Sequence, residues 1–91
     1  MKGFQWHDDK DAINQRKHEV SFREASTVFF DEDAVQFYDE AHSSHEDRFI
    51  MLGMSEFGRL LIVCHCEREA GRVIRIISAR KATRTESSFY C

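Results

Sequence analysis

The pattern of apolar and polar residues changes from helical to strand-like about a third of the way along this 91-residue chain. Residues 8–18 contain few apolar side chains, but acidic residues open the segment and basic residues close it, as a helix dipole favours. Ser21 and Glu24 form a capping-box pattern, and apolar residues then recur at helical spacing. The pattern predicts a surface helix over residues 8–18 and a second, more buried helix that ends near Phe30.

Strand-like segments rich in β-branched and aromatic residues follow the helices. Gly58 can take the positive φ of a hairpin turn between the second and third segments. Thr83 and Glu86 form another capping-box pattern, which predicts a short C-terminal helix with Phe89 and Tyr90 as its only large apolar residues. The four predicted strands are residues 34–38, 48–54, 60–66 and 72–78.

The order of these elements predicts an α+β fold of the type ααββββα. Because both longer helices precede the sheet, we expect an antiparallel four-stranded sheet with the two N-terminal helices packed on it. The chain has the length of one hydrophobic core, and with no proline and only four glycines it has no obvious linker. We therefore predict a single domain over residues 1–91.

Cysteine usage and hydropathy indicate the compartment. Three cysteines without framework spacing favour reduced thiols, as in a cytoplasm. The charged N-terminus does not resemble a secretory signal, and the longest apolar run, residues 60–64, is too short for a bilayer. Strand alternation would place Cys64 and Cys66 on one face, roughly 6.5–7 Å apart, which is long for a disulfide. We expect a cytoplasmic protein without a membrane segment, in which both cysteines fill the core.

Charge is distributed unevenly along the chain, whose formal net charge is −3. Residues 31–58 carry eight acidic residues and a single basic one, Arg48, whereas residues 59–91 carry seven basic and three acidic residues. A basic face on a small domain is a candidate surface for phosphate groups, although arginine-rich strands can also simply be solvated. From charge alone, the last third of the chain is a candidate for nucleic-acid contact, and a solvated surface remains the alternative.

Two histidines, His42 and His45, lie in a polar segment between predicted strands. Zinc ligands must converge on one point as neutral imidazoles and ionised partners. His-x-x-His in a loop is a weak indication of such a site, and a solvated loop is the simpler interpretation. A metal-binding regulator built on these histidines is an alternative, but we predict no metal site and no cofactor.

Cationic side chains with titratable neighbours are the remaining chemical feature. RNA cleavage without a metal needs a base for the 2′-hydroxyl proton, cations for the phosphorane charge and an acid for the leaving 5′-oxygen. Histidine can act as base or acid near neutral pH, but His18 can equally be a helix C-terminal cap. The candidate groups are Lys17, His18, Arg68, Arg75, Arg80 and Lys81, with Glu86 and Tyr90 beyond them.

Short motifs over nearly the whole chain form a recognisable series. The first group is Phe4-x-Trp6, Lys10 and Asn14-x-x-Lys17-His18-x-Val20-Ser21-Phe22. The second is His42-Ser43, Glu46-x-Arg48-Phe49-Ile50, Leu52-Gly53 and Gly58-Arg59-Leu60-Leu61. The third and most specific is Glu67-Arg68, Ile74-Arg75-Ile76-Ile77-Ser78-Ala79-Arg80-Lys81-Ala82-Thr83, Glu86 and Tyr90. In order and spacing, this series resembles the BrnT-type toxins of bacterial type II toxin–antitoxin systems.

The resemblance implies a RelE-like ribonuclease fold and an RNA endonuclease that arrests translation. It also implies a BrnA-type antitoxin, expected in a 2:2 hetero-oligomer that contacts DNA only through the antitoxin. A non-catalytic module that holds RNA or an acidic partner segment on the same basic face is the alternative. The predicted catalytic residues are Arg68, Arg80, His18 and Lys17, and the predicted RNA-binding residues are Arg75, Lys81, Arg48 and Tyr90.

One departure from the family pattern has a structural consequence. Relatives usually carry glycine after the Lys17-His18 pair, where this chain has Glu19. A glycine there would act as a helix C-cap at positive φ. We therefore predict positive φ at Glu19, which is unfavourable by on the order of 1 kcal/mol for a residue with a Cβ.

Overall fold

The computed structural model describes residues 3–90, which form an α+β domain on a five-stranded mixed sheet. In chain order the elements are β1 (Gly3–Gln5), α1 (Asp8–His18), α2 (Phe22–Thr27), β2 (Val35–Tyr38), β3 (Arg48–Met54), β4 (Leu60–Arg68), β5 (Val73–Lys81) and α3 (Arg84–Ser87). The strand order is β1-β5-β4-β3-β2, with β1 parallel to β5 and the other neighbours antiparallel. No helix within residues 3–90 is long and apolar enough to cross a bilayer.

The predicted four-stranded antiparallel sheet omits β1. This strand pairs in parallel with β5, from Gly3 opposite Val73 to Gln5 opposite Arg75. Three residues are too few for alternation to reveal a strand, and the partner lies at the far end of the chain. The α+β class, the two N-terminal helices and a short C-terminal helix are confirmed, whereas the sheet is mixed rather than antiparallel. The C-terminal helix ends at Ser87, so Phe89 and Tyr90 lie beyond it and not within it.

The strand bounds differ from the prediction mainly in the last hairpin. β3 has the predicted bounds, and Gly58 has the expected positive φ, 75°, in the turn that follows. β4 continues to Arg68 and β5 to Lys81, because the two strands keep pairing along their whole length. Arg68, Arg80 and Lys81, which the sequence pattern predicts in connecting segments, therefore lie within strands.

α1 is capped at both ends. His7 is the N-cap, and its Nδ1 accepts a hydrogen bond from the backbone amide of Asp9 at 3.3 Å. Glu19 ends the helix with φ of 57° and ψ of 33°, so the predicted positive φ is confirmed. The helix has few apolar residues, but the buried side chain of Asn14 donates to the carbonyls of Val20 and Ala79 at 2.9 and 2.8 Å. These bonds attach α1 to β5.

α2 carries only half of its predicted capping box. The Ser21 hydroxyl accepts from the backbone amide of Glu24 at 3.0 Å, as expected. The Glu24 carboxylate does not accept a hydrogen bond from the backbone amide of Ser21, because it binds Ser55 and Arg59 instead. The helix ends at Thr27 and a 3₁₀ turn then reaches Phe30, where the sequence pattern places the end of the helical segment.

The main hydrophobic core lies between the two N-terminal helices and one face of the sheet. Strands β4 and β5 contribute side chains from alternate positions, as a half-buried sheet requires. The helices and the residues flanking them contribute the opposing layer. The buried core residues are Val20, Phe22, Ala25, Val28, Leu61, Val63, Ile74, Ile76 and Ala79.

A β-bulge in β5 changes which side chains share a face of the sheet. The register of β5 against β4 shifts by one beside Cys64, so that Ile77 is an extra residue in β5. In a regular strand, two residues an odd number apart lie on opposite faces. The extra residue therefore places Arg75 and Arg80 on the same face.

The face of the sheet opposite the helices carries a second, smaller set of buried side chains. Leu52, Ile62 and Cys66 are buried there, and Cys66 is a free thiol. Cys64, also free, lies on the same face but is only partly buried. The prediction that both cysteines fill the core is therefore wrong for Cys64, because a cleft opens beside the bulge.

Candidate active site

A cleft of about 330 Å³, here called the sheet cleft, opens on the sheet face opposite the helices. Its floor includes Ile50, Cys64 and Ser78, which pair with one another across β3, β4 and β5. Apolar surface with a few converging polar groups is typical of a ligand site. The acidic, basic and imidazole side chains that line the sheet cleft are those of Asp39, His42, Arg48, Arg80 and Glu86.

Arg80 is held in the sheet cleft by Glu86. Nη1 and Nη2 of Arg80 donate to Oε1 and Oε2 of Glu86, both at 2.7 Å. Glu86 also accepts from the backbone amide of Thr83 at 2.9 Å, which completes the predicted capping box of α3. The hydrogen bond from Arg80 is the main reason that the pKa of Glu86 falls from 4.5 to about 2.

One edge of the Arg80 guanidinium has no acceptor among residues 3–90. Glu86 takes the end-on pair of donors, Nη1 and Nη2, and Nη1 also donates to the carbonyl of Lys81 at 3.3 Å. The side-on pair, formed by Nε–H and the second N–H of Nη2, donates to no acceptor in that part of the chain. Paired donors of this kind match two oxygens of one phosphate group. Glu86 thus holds Arg80 in position, and Nε–H and one N–H of Nη2 stay open to bind a ligand.

His42 and Asp39 form a second ionisable pair in the same cleft. Nδ1 of His42 lies 3.1 Å and 3.0 Å from Oδ1 and Oδ2 of Asp39, and because a carboxylate only accepts, Nδ1–H is the donor. The Ser43 hydroxyl supports this turn by donating to the Asp39 carbonyl at 2.6 Å and accepting from the Arg48 amide at 2.9 Å. An imidazole oriented through Nδ1 presents Nε2 for proton transfer.

Arg48 and Arg75 project from the same face of the sheet as the cleft. Each of them pairs with Cys66, Arg48 from β3 and Arg75 from β5. Arg48 lines the cleft, whereas Arg75 lies outside its lining and donates from Nη1 to Oε1 of Gln5 at 2.9 Å. The cleft therefore opens on a face with several guanidinium groups.

Arg68 lies at the end of β4 on this face, outside the cleft lining. Its Nη2 donates to Oε2 of Glu46 at 3.3 Å in an exposed ion pair. Burial raises the pKa of the neighbouring Cys66 thiol, and the Glu46 carboxylate adds to the rise. Exposed ion pairs contribute little to stability, so Arg68 can exchange Glu46 for a phosphate without disturbing the fold.

Lys17 and His18 line a smaller cleft of about 190 Å³ at the end of α1. Ile77 and Ser78 also line this cleft, and both residues line the sheet cleft as well. The two clefts are therefore neighbours that meet at the bulge. Lys17 and His18 belong to the smaller one and not to the lining of the sheet cleft.

Lys81 and Tyr90 lie elsewhere. Lys81 pairs with the core residue Leu61, and its charge helps to lower the pKa of Glu24, so it belongs to the helical face. The Tyr90 hydroxyl donates to Oδ2 of Asp31 at 2.6 Å, which ties the end of the chain to the segment before β2. The predicted site residues thus divide into Arg80 and Arg48 in the sheet cleft, Arg68 and Arg75 on its face, and Lys17, His18, Lys81 and Tyr90 outside both groups.

Asp39 and His42 are the residues that sequence reasoning did not assign to the site. His42 belongs to a motif of the family resemblance, and Asp39-x-x-His42 has the spacing of one 3₁₀ turn, which the structure contains at Glu40–His42. That spacing is the local signal, but it does not show which strand the loop covers. Across the described residues, no three metal-ligating side chains of His, Cys, Asp or Glu converge, at His45 or elsewhere.

A larger depression of about 520 Å³ has a different character. It is lined by Thr27, Phe30, Asp31, Met54, Ser55 and Glu56. Its lining contains two carboxylates and no cationic side chain, and the Asp31 carboxylate already binds the Met54 amide at 2.7 Å. The smaller sheet cleft is therefore the better candidate for a phosphate-bearing ligand.

The fold matches that of a solved bacterial toxin. The 1.1 Å crystal structure of the Brucella abortus ribonuclease toxin BrnT is similar, with a TM-score of 0.71 and 20% sequence identity. The match covers 92% of this chain and 100% of that chain. At this identity the similarity establishes the fold, so the chain has the fold of a ribonuclease toxin. No curated protein sequence matches the chain.

Sequence similarity establishes the family as well. Residues 6–86 match the family described as the ribonuclease toxin BrnT of type II toxin–antitoxin systems. The chain therefore belongs to the BrnT family, and the resemblance noted in its motifs is confirmed. A toxin of a type II system has an antitoxin as its partner.

Proposed function

We propose that this protein is an endoribonuclease toxin that cleaves RNA without a metal ion, and that the sheet cleft is its catalytic centre. The proposal is carried by one observation, the presence of an oriented imidazole and an open bidentate guanidinium in the same cleft. Membership of a ribonuclease toxin family supports it. Proton transfer and charge stabilisation are the two requirements of 2′-hydroxyl attack on a phosphodiester.

In this proposal, Arg80 binds the scissile phosphate through Nε and Nη2. Two parallel hydrogen bonds hold the non-bridging oxygens, and the positive charge stabilises the phosphorane. Glu86 keeps the guanidinium in place, so little reorganisation accompanies the reaction. Arg48 lines the same cleft and supplies a second positive charge.

His42 is the base in this proposal. Its Nε2 takes the 2′-hydroxyl proton, while Asp39 stabilises the imidazolium through Nδ1. The 2′-oxygen attacks phosphorus and the bond from phosphorus to the 5′-oxygen breaks, which leaves a 2′,3′-cyclic phosphate. We assign His18, in the neighbouring cleft, as the acid that gives the leaving 5′-oxygen its proton, with Lys17 adding positive charge beside it.

A cleavage assay with purified protein and excess chelator tests the proposal. Wild-type protein should cleave single-stranded RNA, and His42→Ala should lower the rate by about 10²- to 10⁴-fold without a change in thermal stability. His45→Ala, in the same loop, is the matched control and should keep the wild-type rate.

The possible results separate the alternatives. Full activity of folded His42→Ala would remove His42 from the mechanism, and cleavage that stops with chelator would contradict metal independence. RNA binding without any cleavage would favour a non-catalytic module that uses the same basic face.

We further propose that the partner is a BrnA-type antitoxin that covers this face in the cytoplasm, as a complex of two toxins and two antitoxins that reaches DNA through the antitoxin. An inhibitor that excludes RNA must cover the cleft and its arginines. Residues 31–58, with a formal charge of −7, would repel an acidic antitoxin segment and direct it to β4, β5 and α3.

Hydrogen exchange and salt dependence test the antitoxin surface. Protection on binding should appear in β4, β5 and α3, and protection confined to residues 31–47 would contradict the proposal. Raising salt from about 0.05 to 0.5 M should weaken RNA binding more than antitoxin binding, because apolar burial contributes to the second complex. Light scattering of the complex gives its stoichiometry.

A further inference from the structure

Two aromatic rings are exposed at the edge of the sheet face that carries the sheet cleft. Phe37 of β2 and Phe89, which follows α3, have ring centroids 6.1 Å apart and planes inclined by 79°. Phe37 is 38% exposed and Phe89 is 60% exposed. Burial of aromatic surface is favourable, so neighbouring exposed rings are a candidate contact for a ligand.

These rings adjoin the sheet cleft. Phe37 pairs with Ile50, and Ile50 pairs in turn with Cys64, so one row of side chains runs from the ring into the cleft floor. Phe89 follows Glu86, which lines the cleft, by three residues. The rings therefore extend the floor by one strand, about 4.8 Å, towards the β2 edge.

A nucleobase fits this position better than a protein segment does. The bases of single-stranded RNA are recognised by stacking on aromatic side chains, beside cations that hold the phosphates. Phe37 lies within residues 31–58, whose formal charge of −7 repels acidic peptides and phosphates alike, so the group that rests on the rings should be uncharged. A nucleobase is neutral, and the phosphate next to it can lie on the arginines of the cleft.

We infer that Phe37 and Phe89 form a stacking subsite for one nucleobase adjacent to the phosphate bound in the sheet cleft. The subsite presupposes the proposed function, because it needs RNA in that cleft. Every base has a π-face, so the subsite should bind all four bases with modest preferences.

Substitution of Phe89 tests this subsite. Phe89→Leu keeps an apolar side chain but removes the ring, and it should raise the KM for a short single-stranded RNA by about 5- to 150-fold. Phe89→Trp restores a stacking face and should return KM to near the wild-type value. Phe57, 69% exposed in the turn between β3 and β4, provides the matched control, and Phe57→Leu should leave KM unchanged.

Binding can be measured without cleavage by using a 2′-O-methyl oligonucleotide. Addition of this probe should quench the fluorescence of Phe89→Trp above the constant contribution of Trp6, whereas Phe57→Trp should show no change. Wild-type KM in Phe89→Leu together with no quenching would overturn the subsite but leave the ribonuclease proposal intact. Absence of cleavage by the wild-type chain would overturn the ribonuclease proposal, and quenching would still report on the subsite.

A protein contact gives a different result. If Phe89→Leu weakens antitoxin binding while leaving affinity for the 2′-O-methyl probe unchanged, the rings are a surface for the partner and the inference is wrong. Thermal unfolding of each variant distinguishes these outcomes from loss of the fold. Phe89→Trp also distinguishes a stacking subsite from a surface for the antitoxin. Only a stacking subsite predicts that RNA affinity returns when an aromatic ring is restored at this position.

Discussion

Two arginine–glutamate pairs in this domain differ in the donors that they leave open. Arg59 donates from Nε and Nη2 to Glu24, and from Nη2 also to the carbonyl of Glu19. Arg80 donates from Nη1 and Nη2 to Glu86, which keeps its side-on donors available. The first pair occupies the side-on donors of its arginine, whereas the second occupies the end-on donors and leaves the side-on donors open.

The two glutamates also differ in how deeply they are buried. The Glu24 side chain is 3% exposed and that of Glu86 is 31% exposed. Ser55 also donates to Glu24, at 2.7 Å, and the bond from Arg59 lowers the pKa of Glu24 although burial acts in the opposite direction. The same two residue types therefore hold the fold together where the carboxylate is buried and takes the side-on donors, and can serve a ligand where they border a cleft and those donors stay open.

The largest expected effect is on the buried pair. Arg59→Ala would leave the Glu24 carboxylate buried without its main partner, so the free energy of unfolding should fall by about 3–5 kcal/mol. Arg80→Ala removes a more exposed pair and should cost less than about 1 kcal/mol. Urea unfolding of both variants measures the difference. Equal losses would show that the two pairs play the same role.

RNA cleavage should show the opposite order, with the larger effect at the more exposed pair. Arg80→Ala should lower RNA cleavage by about 10²- to 10³-fold and abolish growth arrest, while the protein stays folded. Arg80→Lys keeps the charge without the paired donors and should recover little. Arg68→Ala, on the same face but outside the cleft, should lose less. Full toxicity of folded Arg80→Ala would exclude Arg80 from the active site.

The Glu86 ion pair should also make stability depend on pH. Its pKa of about 2 lies below the ordinary value of 4.5, so the pair stabilises the fold fully above pH 4.5. That contribution disappears as the pH falls towards 2. The stability difference between wild type and Glu86→Gln should shrink by up to about 1 kcal/mol over this interval, after allowance for partial exposure. A constant difference between the two proteins would contradict the pairing.

The smallest expected effect concerns Glu19, beside the buried pair. Glu19→Gly removes the strain of positive φ and should raise the free energy of unfolding by up to about 1 kcal/mol or leave it unchanged. The bond from Arg59 should persist, because it uses the backbone carbonyl. Glu19→Ala keeps the strain and serves as the control. A clear loss of thermal stability in Glu19→Gly alone would contradict strain at this position, and a loss in both variants would show that the Glu19 carboxylate matters.

Local signals predict much of this fold. The helix over residues 8–18, the bounds of β3, the cap at Thr83 and the backbone of Glu19 each depend on a few neighbouring residues. The strand β1 and the partners of Glu24 were missed, because they depend on contacts between distant segments. A capping-box pattern at Ser21 cannot reveal that an arginine far along the chain competes for the carboxylate.

The site was only partly predictable for the same reason. Arg80 follows from charge and from the family motif, whereas Asp39 and His42 become part of the site only because their loop covers the sheet. Strand alternation alone would separate Arg75 from Arg80, and the bulge at Ile77 brings them to one face. The bulge equally leaves Lys81 on the face of the helices, away from the arginines with which it is grouped in the sequence.

The pairing of β1 with β5 has a consequence for how the toxin is made. β1 has no strand to pair with until Val73–Lys81 has been synthesised. Contacts between residues so far apart in sequence form late. The walls of the cleft also include Arg80 and Glu86, which are synthesised after β4 and most of β5. A nascent chain that ends before Arg80 should therefore be harmless to the ribosome that synthesises it. Stalled nascent chains that lack residues 80–91 should not cleave RNA, and cleavage by them would contradict this order of assembly.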